Sequence, residues 1–203
     1  MTEVLPATAG GIVRAAQLLA GGALVAFPTD TVHGLACRAA DPEALDRLFA
    51  LKGRPPDRQV AWLVKDVAQA ESLALAVDDR ARAATSAFWP GGLTLVLPRH
   101  DGGEPSTLGV RAPDHSITQA LLAASGPIPV SSANPHGLPE CFTADDVLVA
   151  FAGAADELAA VVAGDSPGGV ASSVLDLSGA RPRLLREGAI GRGQLEAVVG
   201  PID

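Results

Sequence analysis

The sequence ALVAFPTDTVHGLA, residues 23–36, carries the two features that decide the fold class. Its first five residues are apolar and predict a buried strand. The segment PTDTVHGL that follows places two hydroxyls, a carboxylate and an imidazole directly after that strand. Ligand-binding groups are typically found at strand ends in α/β sheets. The alternative is a hydroxyl-rich turn in which Asp30 and the two threonines bond only to local backbone groups.

Helical patterns lie on both sides of this strand. Residues 11–20 have apolar residues at helical spacing, and Gly21 and Gly22 end that pattern. On the other side, Asp41 and Pro42 have the character of an N-cap and a first helical residue, and the apolar face of this helix continues to Lys52. Helices that alternate with strands predict an α/β fold.

Further short apolar runs, separated by Gly and Pro, predict more strands, and longer periodic runs predict more helices. The strands are predicted at residues 60–64, 93–97, 108–112, 128–131, 174–177 and 183–186. The helices are predicted at residues 67–76, 79–88, 116–124, 144–151 and 155–162. These elements predict a mixed sheet with helices packed on it. Because no linker or shift in composition divides the chain, we expect one domain over residues 1–203.

Composition excludes several classes of protein. The net charge of −8 disfavours a broad, non-specific grip on nucleic acid, although a local basic cleft is compatible with it. Cys37 and Cys141 match no zinc spacing, so we expect buried free thiols and no protein metal site. The N-terminus lacks a positively charged start and every apolar run is too short to span a bilayer, which predicts a cytoplasmic protein with no membrane partner.

Three cations lie close together after the helix that begins at Pro42. The segment KGRPPDR contains Lys52, Arg54 and Arg58. Such a group suits a polyphosphate, because arginine offers a bidentate fork and lysine a mobile point charge. The alternative is that Lys52 complements the dipole of its own helix and that the arginines are simply solvated.

Arg111 lies inside an apolar run, LGVRAP at residues 108–113. An unpaired charge would be costly to bury there, so Arg111 needs an anionic partner. That partner is either a ligand or a protein carboxylate such as Asp114.

Hydroxyl and amide groups follow later strands. The segment SSANP, residues 131–135, offers groups suited to phosphate oxygens or a ribose, and two later segments beside apolar strands add a serine pair at residues 172–173 and another arginine, Arg186. The segment WPGGLT, residues 89–94, is interpreted as a structural connection. The chain contains no GxxxxGK[ST] motif, so a bound nucleotide must be held by something other than a P-loop.

Taken together and in order, seven segments resemble the YrdC-like family of threonylcarbamoyl-AMP synthases. They are PTDTVHGLA (28–36), KGRP (52–55), WPGGLTLVL (89–97), GVRAPDH (109–115), SSANPHGLP (131–139), SSVLDL (172–177) and LLREGAI (184–190). The resemblance extends over nearly the whole chain. It implies a twisted, mixed, open α/β sheet with flanking helices and a concave, basic ligand cleft.

The resemblance also implies a function. The cleft would bind ATP, L-threonine and bicarbonate or CO₂, with Mg²⁺ carried by the nucleotide, and would form threonylcarbamoyl-AMP and pyrophosphate. Other tRNA-modification proteins would then use the product to make threonylcarbamoyladenosine, and tRNA or double-stranded RNA stays open as a direct ligand. By position, threonine would contact Thr31, Arg111 and Ser172. ATP would contact Lys52, Arg54, Arg58, Ser132, Asn134 and Arg186, of which Lys52 and Arg54 would be catalytic.

Five residues depart from the usual pattern of this family. His33 replaces Tyr, Ala171 replaces Glu and Glu187 replaces Pro. Leu63 stands where some members have a His that contacts threonine, and Glu140 stands where a Ser commonly faces the nucleotide. The charge of Glu140 would repel phosphates unless the side chain points away or helps to bind magnesium.

Two other functions compete with this hypothesis. A related carbamoyl-adenylate enzyme could act on another small acceptor, which the five departures permit. A non-catalytic module that binds tRNA or double-stranded RNA is the second, but the negative charge and the scarcity of aromatic residues for base stacking count against it.

Overall fold

The computed structural model describes residues 1–38, 41–53, 60–73 and 75–203. Its helices are α1 (Ala9–Ala20), α2 (Pro42–Lys52), α3 (Val67–Glu71), α4 (Asp79–Phe88), α5 (Ser116–Ser125), α6 (Ala144–Ala150) and α7 (Arg192–Val199), with a 3₁₀ turn at Ala152–Ala154. Its strands are β1 (Glu3–Leu5), β2 (Leu24–Phe27), β3 (Gly34–Ala36), β4 (Ala61–Leu63), β5 (Leu93–Pro98), β6 (Thr107–Arg111), β7 (Ile128–Ser132), β8 (Leu158–Val162), β9 (Ser173–Asp176) and β10 (Arg183–Arg186).

All the described strands belong to one mixed sheet, in the order β1-β8-β2-β3-β7-β4-β6-β5-β9-β10. Strand β8 runs parallel to both of its neighbours, whereas β3 is antiparallel to both β2 and β7. Among the described strands, β1 and β10 each have one neighbour, so the sheet is open. This architecture confirms the predicted mixed α/β sheet with flanking helices.

The helix starts follow from the capping residues in the sequence. The side chain of Asp41 accepts a hydrogen bond from the backbone N–H of Ala44, which satisfies one of the free donors at the start of α2. At the other end of α2, Gly53 adopts a left-handed conformation with a φ of 61°, a common way to end a helix. Thr143 and Asp146 form a reciprocal capping box at the start of α6. The local sequence therefore fixes where these helices begin or end.

The prediction of a helix at residues 155–162 is wrong. Residues Leu158–Val162 form β8, which lies between β1 and β2. A strand that is paired in parallel on both sides and covered on both faces is apolar throughout, so its pattern cannot be distinguished from that of a buried helix. Two short strands, β1 and β3, and helix α7 were not predicted from the sequence.

In the first half of the sheet, helices cover both faces. Val25 and Phe27 of β2 pack in one cluster with α1 and α5. Leu24 and Ala26, which point to the opposite face, pack in another cluster with α2 and α6. All four residues are almost completely buried, so β2 is a central core strand.

The second half of the sheet is covered differently on its two faces. Leu93, Leu95 and Leu97 of β5 belong to the cluster that includes residues of α4 and α7. Thr94 and Val96 alternate with these leucines and line a cleft on the other face. Strands β6 and β9 alternate in the same way. The face of the sheet opposite α4 and α7 thus forms the floor of the cleft.

Cys37 and Cys141 are buried and free, as predicted. Burial raises the pKa of the Cys37 thiol to about 12, so this thiol stays protonated at neutral pH. Among the helices in the described part of the chain, none has the length and apolarity required to cross a membrane.

The two faces of β5 should respond differently to truncation. We expect Leu95→Ala to lower the free energy of unfolding by about 2–5 kcal/mol, because Leu95 is fully buried under the helices. Val96→Ala, on the same strand but on the cleft face, is the matched control and should cost less than about 1.5 kcal/mol. Urea unfolding followed by circular dichroism measures both values. Equal costs would contradict the division into a packed face and a cleft face.

Candidate functional site

The cleft on the open face of the sheet has two overlapping parts, which we call the inner and the outer cleft. The inner cleft has a volume of about 340 Å³ and lies over strands β4, β5, β6, β7 and β9. The outer cleft, about 290 Å³, shares half of the residues of this wall and adds Glu140, Gly169 and Ala171. Polar groups common to both parts are those of Thr31, Arg111, Ser131, Ser132, Ser172 and Arg186. The cleft therefore gathers side chains from segments that are far apart in the sequence.

Arg111 projects into the cleft from the end of β6 and is 7% exposed. Its Nε donates a hydrogen bond to the carbonyl of Gly91 at 2.9 Å, and its Nη1 donates to Oγ1 of Thr31 at 3.2 Å. Its Nη2 forms an ion pair with Oδ1 of Asp30 at 2.7 Å. The alternative that Arg111 pairs with a protein carboxylate is therefore correct. The carboxylate is that of Asp30, however, and not that of Asp114.

Burial lowers the pKa of Arg111, and the charge of Asp30 opposes that effect. Arg186 adds to the lowering, because two cations in one cleft repel each other. An arginine nevertheless stays protonated in a protein. Both guanidinium groups line the same cleft.

Arg186 reaches the cleft from β10 and is held by Ser172. Its Nε and Nη2 both donate to the carbonyl of Ser172, at 3.0 and 2.8 Å, and Nη2 also lies 3.2 Å from the Ser172 hydroxyl. That hydroxyl is 2.9 Å from Oγ1 of Thr94. Within the described part of the chain, Arg186 forms no ion pair with a carboxylate, so its charge is available to an anionic ligand.

The loop between β2 and β3 is ordered by its own hydroxyls. Thr29 donates its hydroxyl hydrogen to the carbonyl of Val32 at 2.7 Å, so the hydrogen of the Thr31 hydroxyl is the one shared between the two threonines. Oγ1 of Thr31 then accepts from Arg111. The Thr29 hydroxyl therefore bonds within the loop, as the turn interpretation requires. The Thr31 hydroxyl also bonds to Arg111 in the cleft.

Lys52 and Asn134 lie behind the cleft wall. The Nζ of Lys52, which is 4% exposed, donates to the backbone carbonyls of Ser132 and Asn134. The Asn134 amide nitrogen donates to the carbonyl of Leu138 at 2.7 Å, and its Oδ1 is buried without a hydrogen-bond partner among the described residues. Ser132 itself lines the cleft. Arg54 and Arg58 lie outside the described residues.

The five departures from the family pattern occupy different places. Leu63 lines the inner cleft, and Glu140 and Ala171 line the outer cleft. The carboxylate of Glu187 accepts from the backbone N–H of Arg192 at 3.0 Å, at the start of α7. Glu187 is therefore occupied in capping a helix, whereas Glu140 is exposed at the mouth of the cleft.

His33 belongs to the same loop as Thr29 and Thr31, is fully buried and lines the inner cleft. Its Nδ1 lies 2.9 Å from Oγ of Ser166, which also accepts from the backbone N–H of Thr29, and its Nε2 has no partner among the described residues. Burial lowers its pKa to about 4, partly opposed by Asp146 and Asp165. His33 is thus a neutral group at pH 7.

Sequence reasoning missed Thr94 and Gly91 as parts of the site, because WPGGLT was interpreted as a connection. The signal that could have found Thr94 is the alternation in β5, where leucines occupy every second position and Thr94 lies between two of them. The contribution of Gly91 is a backbone carbonyl, which no side-chain pattern reports. Among the described residues, no group of three or more His, Cys, Asp or Glu side chains is placed to hold a metal ion.

Comparison with known proteins extends over nearly the whole chain. The model of the Sua5/YciO/YrdC family, described as "Telomere recombination", matches residues 17–188. A curated relative from Bacillus subtilis, named threonylcarbamoyl-AMP synthase, is 38% identical over 211 residues, which cover 100% of this chain and 60% of that protein. A relative from Mycobacterium leprae, named putative threonylcarbamoyl-AMP synthase, is 38% identical, and the match covers 96% of this chain and 90% of that protein.

A solved structure gives the same result for the fold. The crystal structure of Pyrococcus abyssi Sua5 complexed with L-threonine has a TM-score of 0.88 and 35% identity, covering 100% of this chain and 62% of that one. The chain thus spans about three fifths of the length of the Bacillus and Pyrococcus proteins.

The buried His33 predicts a loss of stability in acid. Its pKa is about 4 in the folded state and about 6.5 when unfolded, so between those values the unfolded chain binds more protons and stability falls as the pH falls. The expected contribution is up to about 3 kcal/mol on going from pH 7 to pH 4. Urea unfolding across this range should show a flatter pH dependence for His33→Gln than for the wild type. His100→Gln, at an exposed histidine, is the control and should keep the wild-type slope. An unchanged slope in His33→Gln would refute the assignment.

Proposed function

Because the chain belongs to the Sua5/YciO/YrdC family, we propose that it forms threonylcarbamoyl-AMP and pyrophosphate from L-threonine, bicarbonate or CO₂, and ATP. The observation that carries this proposal is the convergence of Arg111, from β6, and Arg186, from β10, on one hydroxyl-lined cleft. The product would serve the formation of threonylcarbamoyladenosine in tRNA, together with other tRNA-modification proteins. We further propose that residues 1–203 act as a single domain.

Threonine would occupy the inner cleft. Its carboxylate is matched by the terminal nitrogens of Arg111, and the hydroxyls of Thr31 and Ser172 lie on the same wall. The apolar side chains of Leu63, Val96 and Val174 offer contact to its methyl group. A volume of about 340 Å³ lies in the range of small-ligand sites, which is about 300–1,000 Å³.

ATP would extend from the inner into the outer cleft. Arg186 offers an uncompensated positive charge to its phosphates, and Ser132 adds a hydroxyl. Lys52 and Asn134 stabilise this wall from behind through the carbonyls of the segment 132–134 and the loop that follows. We propose that Arg54 and Arg58 complete the phosphate site and that Arg54 is catalytic. Lys52, expected from the sequence to be catalytic as well, is instead proposed to be a positioning residue, because it lies behind the wall and bonds to the carbonyls of Ser132 and Asn134.

The reaction needs positioning and charge stabilisation more than a protein nucleophile. The amine of threonine attacks CO₂ and loses a proton, which gives a carbamate. A carbamate oxygen then forms a bond to the α-phosphorus of ATP, and the bond from that phosphorus to pyrophosphate breaks. Both steps create or move negative charge, which fixed cations such as Arg111 and Arg186 can stabilise.

Magnesium would arrive with ATP and would neutralise phosphate charge. Among the described residues that line the cleft, Glu140 is the only carboxylate. One carboxylate at the mouth fits an ion that is bound mainly by substrate phosphates and water. In this position Glu140 would help to bind the magnesium ion and would not repel the nucleotide.

The decisive experiment is a set of reactions from which one component is omitted at a time. We expect pyrophosphate release that requires ATP, L-threonine and bicarbonate together, measured by a coupled phosphate assay. Release that is unchanged without threonine, or faster with another amine, would assign the cleft to a different carbamoyl acceptor. Tight, salt-sensitive binding of RNA with no pyrophosphate release would instead support the RNA-binding alternative.

Two arginines on the same strand give a matched comparison. Arg186→Ala should lower kcat/KM by at least about tenfold, because it removes a cation from the site of developing charge. Arg183→Ala is the control, since Arg183 is paired with Asp176 at 2.9 Å outside the cleft, and it should leave kcat/KM within about twofold of the wild type. Equal effects of the two substitutions, at equal thermal stability, would contradict the proposed site.

A further inference from the structure

Asp30 and Arg111 form an ion pair that is largely shielded from water. Its side chain is 15% exposed and that of Arg111 is 9% exposed, and the two approach to 2.7 Å. Most of the other ion pairs among the described residues join side chains that are considerably more exposed. A charge with so little access to water requires its partner, so the pair is a fixed part of the site.

The guanidinium of Arg111 is held by three contacts from two segments, the loop after β2 and the loop before β5. The carbonyl of Gly91 accepts a hydrogen bond from Nε, the hydroxyl of Thr31 accepts one from Nη1, and the carboxylate of Asp30 forms an ion pair with Nη2. Because the group is planar, contacts at all three nitrogens fix both its position and its plane. Nε is already engaged, so a ligand can be bound only by the hydrogens that remain on the terminal nitrogens.

We propose that Asp30 is a positioning residue, whose carboxylate holds the guanidinium of Arg111 in the orientation that presents its remaining N–H groups to the carboxylate of the substrate. The proposal rests on the proposed function in so far as threonine is that substrate. Asp30 itself need not touch the ligand. It acts by removing the freedom of a long, flexible side chain before binding.

The charge of Asp30 allows its positioning role to be distinguished from a purely electrostatic effect on substrate binding. Asp30 offsets the charge of Arg111, whereas Arg186 has no carboxylate partner among the described residues. Asp30→Asn would therefore make the cleft more positive by one charge. If charge alone mattered, this variant would bind the threonine carboxylate more tightly; if positioning matters, it would bind threonine more weakly.

The test compares Asp30→Asn with Asp30→Glu and with a control at a second ion pair. We expect Asp30→Asn to raise the KM for L-threonine by at least about tenfold with a smaller change in the KM for ATP, because one ligand contact is misaligned. Asp30→Glu keeps the charge and should restore part of the threonine affinity. The control is Asp176→Asn, which removes the carboxylate partner of Arg183 outside the cleft and should leave both KM values unchanged.

A second readout does not depend on activity. Hydrogen exchange of the Arg111 Nε–H, assigned by NMR from its absence in Arg111→Lys, should be slow in the wild type and at least about tenfold faster in Asp30→Asn. Faster exchange in Asp30→Asn, together with a wild-type protein that neither binds nor uses threonine, would reject the proposed function, while the effect of Asp30 on Arg111 would stand. Unchanged exchange and an unchanged KM for threonine in Asp30→Asn would overturn the positioning role. Should Asp30→Asn fail to fold, Asp30→Glu decides by the same two measurements. Its carboxylate keeps the ion pair but shifts the guanidinium through a longer side chain, so the KM for threonine and the exchange rate should both rise, by less than about tenfold, and values equal to those of the wild type would overturn the positioning role.

Discussion

The alternation of side chains in strands β5, β6 and β9 is the constraint on which the site depends. One set of positions is filled by leucine and valine and packs against α4 and α7, and the other set is turned toward the cleft. Side chains of a strand point alternately to its two faces, so a shift of one residue in register would move every side chain to the opposite face. The packed core therefore determines which residues form the floor of the cleft, and it holds Arg111 at the edge of that floor.

The two arginines of the cleft differ in burial and in how far their charge is compensated. Arg111 is buried, compensated by Asp30 and bonded to neighbouring segments, so it can recognise the shape of a small anion. Arg186 is more exposed and is bonded only to Ser172 among the described residues, so it keeps its full charge. A carboxylate needs precise hydrogen bonding, whereas a triphosphate needs uncompensated charge. The proposed order of threonine in the inner cleft and ATP toward the outer cleft follows from this difference.

Much of this structure could be predicted from the sequence, and the exceptions have physical causes. The starts and ends of α2 and α4 were predicted because capping residues and proline act locally. Strand β8 was taken for a helix, because its buried apolar run has no alternation, and the three-residue strand β3 is too short to show a pattern. For the site, the sequence indicated that Arg111 needs an anion. It could not choose Asp30 over Asp114, since that choice depends on the strand order β2-β3-β7-β4-β6, which sets how the loop after β2 lies relative to the end of β6.

The separation of the two faces has an evolutionary consequence. Thr94, Val96, Gly109 and Val174 border the ligand volume, while their sequence neighbours on β5, β6 and β9 maintain the core. Substitutions at the first group can alter which acceptor fits without demanding compensatory repacking beneath the sheet. A scaffold of this kind can give rise to paralogues with new selectivity through a few exchanges on its floor, at little risk to its stability.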